Sequence, residues 1–513
     1  MDFIPGLKTA AAPGSIKMWR GPRVGALFPI VRLEPETLSI SSARELLKQC
    51  KDKFTLPSNF NFDEFSEVAN GFFQAEGHVS CRIKGKYFLP VFAINQNFSA
   101  KSLEFFLTLW HVLGRTGSLS LIKNKQGKIV IRLSSESWDT ILNNYSKYFY
   151  SIYGEKYIAF KKLSDIRRLT HNYKNIDPSS LATATHILYD LSADGVGRKY
   201  SLSEQLKLFG VSCTDVKVPI YTDNNLNLSI LFIIGFILGD GTLHLRLRNS
   251  DKGSIWLIPT LLLPQLKNKY NGHFFSKLEN FFTSIEIKTY TINKIKNSEI
   301  ADILNLDADK DDVRAAGAEI TILTIDSIHS IFDNLLPIFK PYSYYFYWKY
   351  DQYELMNKVA RLVKAKAHYT LYGFTTILDI IYSYPNKRIK SKEFWLDIIK
   401  AWFKNRANKN KSSENNIQAV YGRGMFNPNL PSLVPAPSQS LLTPALTDGG
   451  SADLSCERTG GERIIAWKCV FPVESKLKSR QFGFNNDNKS GEALKQAILY
   501  RDLNVKSWVN SLK

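Results

Sequence analysis

Two short stretches constrain this chain more than anything else in it: NGFFQAEGHVS from Asn70 and IIGFILGDGTLH from Ile233. Set against each other, they pair Gly71 with Gly235, Ala75 with Gly239, Glu76 with Asp240 and Gly77 with Gly241. The small residues of each copy lie four apart, which puts them on one face of a helix. Glycine inside an exposed helix costs about 1 kcal/mol relative to alanine, so the pattern needs a reason, and close backbone packing of two helices supplies one. Packed along that face, the helices would end with Glu76 and Asp240 side by side, where the helix-end carbonyls add negative potential. Two carboxylates so placed require cations between them, and oxygen ligands suit a hard divalent ion such as Mg2+. Paired ions at such a point can activate a water and stabilise the leaving oxygen of a phosphodiester.

The two stretches also open two halves with one element order. After the first, HVSCRIKGK and KYFLPVFAINQN read as strands and SAKSLEFFLTLWHVLG as an amphipathic helix. SLSLIKNKQGKIVIRLSS reads as a hairpin turning at Gln126-Gly127, and SWDTILNNYSKYF and YIAFKKLSDIRRL as helix. The second half repeats the order: TLHLRLRN, SIWLIPTLLL, HFFSKLENFFTSI, KTYTINKIK, AEITILTI, DSIHSIFDNLLPIF and YWKYDQYELMNKVARLV. The fold class is therefore α+β, two αββαββα repeats at about 58–175 and 226–404. Residues 1–57 form an N-terminal extension and 176–225 a long irregular connection. ADILNLDADKDDVRAAGAE is an acidic insertion in the second hairpin and reads as a solvated loop. From 405 to 460 the chain is polar and rich in Pro and Ser, a flexible linker, and a small unit of strands and a helix follows at 461–513.

The strands leaving each stretch alternate. His78, Ser80, Arg82 and Lys84 interleave with Val79, Cys81 and Ile83; Lys128 and Arg132 interleave with Ile129, Ile131 and Leu133; His244, Arg246 and Arg248 interleave with Leu243, Leu245 and Leu247. One face would meet the helices, and the other, basic and polar, could lie in a DNA groove and neutralise phosphates. His78 and His244 fall in register after the motifs and read as DNA-facing or exposed rather than metal ligands. The formal net charge of +20 favours a polyanionic partner, nucleic acid before an acidic membrane surface. The five cysteines are scattered without a CxxC, which argues against a disulfide framework or zinc site and for a reducing compartment. The longest apolar run, Leu228 to Gly239, is too short to span a bilayer, so a soluble protein is expected. The basic N-terminus reads as a transit peptide, upstream-exon read-through or an unstructured tail.

The copies A-N-G-F-F-Q-A-E-G (69–77) and I-I-G-F-I-L-G-D-G (233–241), with the tails YIAFKKL and YSYYFYWKYDQYEL, resemble the LAGLIDADG homing endonucleases. The resemblance implies a single-chain, monomeric enzyme whose two sheets form a saddle over double-stranded DNA and cut it with a stagger. By position, Glu76 and Asp240 carry over as the metal-binding catalytic acids, although the first copy has Glu where Asp is usual. Gly71, Ala75, Gly235 and Gly239 carry over as the helix interface. The family also places a basic residue near each cut; the candidates are Lys123, Lys125 or Lys128 in the first half and Lys294 or Lys296 in the second.

RIIAWKCVFPVESKLKSRQFGFNNDNKSGEALKQAILYRD resembles the small ethylene-response-factor type of DNA-binding domain, with Lys468, Lys476, Lys478 and Arg480 as its DNA contacts. The leading expectation is an intron-encoded, site-specific DNA endonuclease in a mitochondrion or plastid. The alternatives are an RNA maturase acting on its host intron, or both activities, or a non-catalytic DNA-binding regulator; retention of both acids favours cleavage.

Overall fold

The computed structural model describes residues 39–412 and 453–483, apart from 86, 125, 172–175, 192–198, 212–215, 217, 251–253, 267–270, 296–319, 385–389, 459–463 and 474–475. The chain divides into two compact units, Met1–Gly239 with Ile338–Trp348, and Asp240–Pro337 with Lys349–Lys513. The division falls at Gly239 rather than near 226 because the second glycine-faced helix packs along the first.

The first unit begins with α1, Ile40–Lys53, capped by the Ser39 side chain, which accepts from the Ser42 N–H. Its Arg44 donates to the Leu121 carbonyl, so part of the expected extension is built into this unit. Next come α2 (Phe62–Glu76), β1 (Gly77–Lys84), β2 (Tyr87–Asn97), α3 (Ala100–Val112), β3 (Ser118–Lys123) and β4 (Ile129–Ser135). The four strands form one antiparallel sheet in the order β1-β2-β4-β3. Gly127 takes the left-handed conformation at the expected hairpin turn. Val79, Phe92, Ile94, Ile131 and Leu133 are buried on one face of the sheet, the face that meets Phe73 of α2. Phe73 stacks on Phe92 at 5.1 Å and on Phe149 at 4.3 Å. SWDTILNNYSKYF, expected as regular helix, opens into a π-helical turn over Thr140–Tyr145. Then follow α4 (Gly154–Thr170), α5 (Pro178–Tyr189), α6 (Leu202–Leu208) and α7 (Ile230–Gly239). The supposedly irregular connection thus holds two helices. Asp177 and Ser201 cap them through side chains that accept from Ser180 and Glu204 N–H, and Pro178 opens α5.

The second unit carries β5 (Thr242–Asn249), β6 (Ile255–Leu266), α8 (Gly272–Ser284), β7 (Tyr290–Ile295) and β8 (Ile320–Ile325). Its sheet order, β5-β6-β8-β7, is the first sheet's order again. A π-helical turn recurs at His329–Leu335, and α9 (Tyr350–Lys364) closes the repeat. Two further helices, α10 (Leu371–Ser383) and α11 (Lys392–Ser412), carry regular structure past residue 404 into the expected linker. The acidic insertion lies outside the described residues. The C-terminal strands β9 (Asp453–Arg458), β10 (Ile464–Val473) and β11 (Lys476–Gly483) form an antiparallel sheet in the order β11-β10-β9. The expected helix after them lies outside the described residues. No described helix is long and apolar enough to cross a membrane.

Candidate functional site

The glycines do what their spacing asks. A Cβ on Gly71 would stand 1.9 Å from the Phe232 carbonyl oxygen, and one on Gly235 would stand 1.9 Å from that of Val68. Backbone meets backbone, reciprocally, and neither position tolerates a side chain. One turn further on, a Cβ on Gly239 would meet Ala75 Cβ at 2.3 Å and Glu76 Cγ at 3.0 Å. Helix α2 is oriented by Asn61, whose side chain accepts from the Glu64 N–H, and by acids in its first turn. Helix α7 is apolar all round and buried from Leu231 to Leu238.

Glu76 is the last residue of α2 and half-buried, its Cγ against Gly239; Asp240, also half-buried, directly follows Gly239 at the end of α7. Two buried polar side chains of α2 then take hold of the chain that follows β4. Asn70 donates to the Tyr148 carbonyl at 3.0 Å and accepts from the Ser151 N–H at 3.1 Å, and Gln74 accepts from the Tyr153 N–H at 2.8 Å. This grip brings Lys156 to the end of α2. Its ammonium donates to the carbonyls of Phe73 (3.1 Å), Gln74 (2.6 Å) and Ala75 (2.6 Å). A cation thus sits where the helix dipole is most negative, one residue from the motif acid. The second motif is treated alike: Trp348 Nε1 donates to the Leu238 carbonyl at 3.0 Å, and Lys349 Nζ donates to that of Gly241.

Neither lysine was among the candidates read from the sequence. In the sheet, Gly77 lies level with Ile94, Leu133 and Leu119. Lys123 is four residues further along β3, about 13 Å at roughly 3.3 Å per residue, and Lys128 lies in the exposed turn beyond it. Neither belongs to the motif end. Lys125, Lys296 and the side chain of Lys294 lie outside the described residues. A signal was present: aligned on Lys156 and Lys349, the tails EKYIAF and WKYDQY each place an aromatic four residues on, at Phe160 and Tyr353.

On the sheet face away from the helices, β1 presents His78, Arg82 and Lys84 exposed and Ser80 half-buried. Arg82 pairs with Glu136 at 2.7 Å. Arg132 stands in register between Asn95 and Ser120. Arg132 Nε and Asn95 Oδ1 are buried atoms without a hydrogen-bond partner. The His78 imidazole is held below its usual pKa by desolvation first, then by the positive charges of Lys156 and Arg132.

The second sheet departs from the expected basic face. Arg248 is exposed, but His244 is buried, and Arg246 is mostly covered and turned toward Asp326 at 3.6 Å. Tyr290 also donates to Asp326, at 2.8 Å, and its hydroxyl is pushed up to about 12 by desolvation and by that carboxylate. Register continues this face with Trp256, Ile258, Thr260 and Leu262 on β6 and with Ile322 and Thr324 on β8. Among the described side chains, basic ones therefore line β5 alone, because IWLIPTLLLPQL is apolar on both faces. In the C-terminal sheet, Lys478 pairs with Phe471 and Arg480 with Cys469, whereas Lys468 pairs with Gln481 and falls in the alternate register.

Among the described residues, no group of three or more His, Cys, Asp or Glu side chains could hold a metal ion. Each motif end offers one carboxylate. That donor set fits a magnesium-like ion, which is held by one or two carboxylates, keeps waters and takes its remaining ligands from substrate phosphate.

Residues 70–166 match the family described as LAGLIDADG endonuclease. A comparison with curated proteins finds no match. Among solved structures, the chain is similar to I-SmaMI bound to an uncleaved DNA target in the presence of calcium ions: 18% identity over 62% of this chain and 98% of that one, TM-score 0.48. It is similar also to the I-LtrWI LAGLIDADG homing endonuclease bound to target DNA: 18% identity over 64% of this chain and 100% of that one, TM-score 0.47. The segment bearing the first motif thus matches the LAGLIDADG endonuclease family, and the chain's own α+β fold writes one element order and one antiparallel sheet order twice.

Proposed function

We propose that this protein is a site-specific DNA endonuclease that makes a staggered double-strand break and so spreads the intron that encodes it, with a mitochondrion or plastid as its home. The observation that carries this reading is the charge arrangement at the two motifs: a lysine on main-chain carbonyls beside each motif carboxylate, Lys156 on Phe73, Gln74 and Ala75 just before Glu76, and Lys349 on Gly241 just after Asp240. In this reading Glu76 and Asp240 hold divalent ions of the Mg2+ class, which when bound lower the pKa of water and offset charge on the phosphodiester oxygens. Lys156 neutralises the end of α2 and Lys349 holds the chain just past α7, so that each carboxylate is oriented without the nearby carbonyls repelling an incoming phosphate. The exposed Arg82 and Lys84 neutralise phosphates. The C-terminal sheet acts as an accessory DNA-binding module, tethered by the linker and raising local concentration on the target.

Incubation with Mg2+ and a duplex spanning the insertion junction of the host intron tests the reading. Discrete breaks on both strands are expected. An intact duplex together with accelerated splicing of the host intron would favour the RNA maturase instead.

A further inference from the structure

The lysine alignment of the two tails also pairs Gly154 with Tyr347, each two residues before its lysine. Both take a positive φ, 59° at Gly154 and 35° at Tyr347. Glycine adopts that conformation freely; a tyrosine there is strained, and strain of this kind persists only where its surroundings over-determine it.

The surroundings are specific. The Tyr347 ring stands edge-on to Phe105 at 5.2 Å, and the Trp348 ring edge-on to Phe72 at 5.4 Å and to Phe105 at 5.6 Å. Upstream, Tyr344 and Tyr345 both donate to Glu64 Oε2, at 2.6 and 3.2 Å, in the first turn of α2. Downstream, Trp348 Nε1 reaches the Leu238 carbonyl in the last turn of α7. Residues 344–348 are thus tied at one end to the start of α2 and at the other to the end of α7, and the very next residue is Lys349. The first repeat places Lys156 differently, with Tyr153 and Gly154 N–H groups donating to Gln74 and Asp223 side chains.

We infer that Tyr347 and Trp348 are positioning residues for the second motif. The positive-φ bend at Tyr347, locked by Phe105, and the indole bond to Leu238 fix where the chain delivers Lys349 to the Gly241 carbonyl, beside Asp240. They act through Lys349 and set the rate of one strand's cut. This inference rests on the nuclease reading above.

The test is cleavage of a target duplex labelled separately on each strand, by full-length Trp348→Phe, which keeps a ring and loses the donor, and by Tyr347→Gly, which keeps the φ and loses the anchor. Cutting of one strand should fall about ten- to a hundredfold, the range set by a 1 Å misplacement, and the other strand should be cut at the wild-type rate. The strand affected should be the one that Lys349→Ala affects, and Tyr347→Phe should restore the wild-type ratio. If Tyr347→Gly does not fold, Trp348→Phe carries the test alone through a single lost hydrogen bond. Variants that cut both strands at an unchanged ratio, whether at full or reduced rate, would overturn the inference and leave the nuclease reading standing. Wild-type protein that cuts neither strand would overturn both.

Discussion

The two repeats share element order, sheet order and even the π-helical turn after the last strand, yet they differ where function would be read. The first sheet turns Ser80, Arg82, Lys84, Asn95, Ser120, Arg132 and Ser134, among apolar residues such as Val91 and Val130, to the face away from the helices; the second turns Trp256, Ile258, Leu262 and Ile322 there, with its described basic side chains along β5. The first tail bends at a glycine and the second at a strained tyrosine. What stays common is narrow: glycine-faced helices, an acid at each end and a lysine on main-chain carbonyls beside each acid. The difference teaches that the fold constrains the motif ends tightly and leaves the sheet faces free to diverge.

The shared part should break hardest. Gly71→Leu or Gly235→Leu forces a side chain into a main-chain carbonyl at 1.9 Å and should destabilise the protein by about 3 kcal/mol or more, read as a fall in thermal midpoint. Gly272→Ala, where an added Cβ meets nothing within 4 Å, should leave the midpoint unchanged. Equal effects would dissolve the distinction between motif and scaffold.

Next come the lysines. Lys156→Met and Lys349→Met should each slow cutting of a different strand by about a hundredfold, the usual cost of losing one fixed charge at a reacting centre. Losses falling on the same strand would show that the two ends are not separate stations.

The sheet faces should differ in salt response. Arg82→Ala, whose pair with Glu136 is exposed on both sides, and Lys84→Ala should each reduce the slope of log affinity against log salt by about 1, while Arg246→Ala, mostly covered beside Asp326, should change it less. Equal slopes would make the second face as much a phosphate surface as the first.

The smallest effect is acid sensitivity in the second unit. His368 is buried, and burial brings its pKa down to about 4 from 6.5. The folded state prefers the neutral ring, so this stabilisation is present above pH 6.5 and is lost as pH falls toward 4, at most about 3 kcal/mol. His368→Phe should flatten the unfolding free energy across that window; an unchanged pH profile would assign the acid loss to other groups.

Much of the fold was legible because periodicity reports burial. The alternation in HVSCRIK and GKIVIRLS set strand and face together, and Gly71, Ala75, Gly235 and Gly239 announced a backbone contact. Lys156 and Lys349 were hard to find because only an aromatic four residues on marks each of them locally. They reach the helix ends only after Asn70 and Gln74, or Tyr344 and Trp348, have gripped the chain from distant positions. The second sheet's covered face was readable in the unbroken apolar run of IWLIPTLLLPQL, the pattern of a strand buried on both sides. Helices α5 and α6 were marked by Asp177-Pro178 and by the Ser201–Glu204 capping box. There, local capping chemistry outweighed weak hydrophobic patterning.

The central claim is that Glu76 and Asp240 carry the chemistry and not the binding. The direct measurement is single-turnover cleavage with Mg2+ by the Glu76→Gln and Asp240→Asn double variant, beside its affinity for the same duplex. The account predicts that no double-strand product forms while affinity stays within about threefold of wild type, less than the tenfold that 1.4 kcal/mol would give. Cleavage by the double variant at the wild-type rate would contradict it.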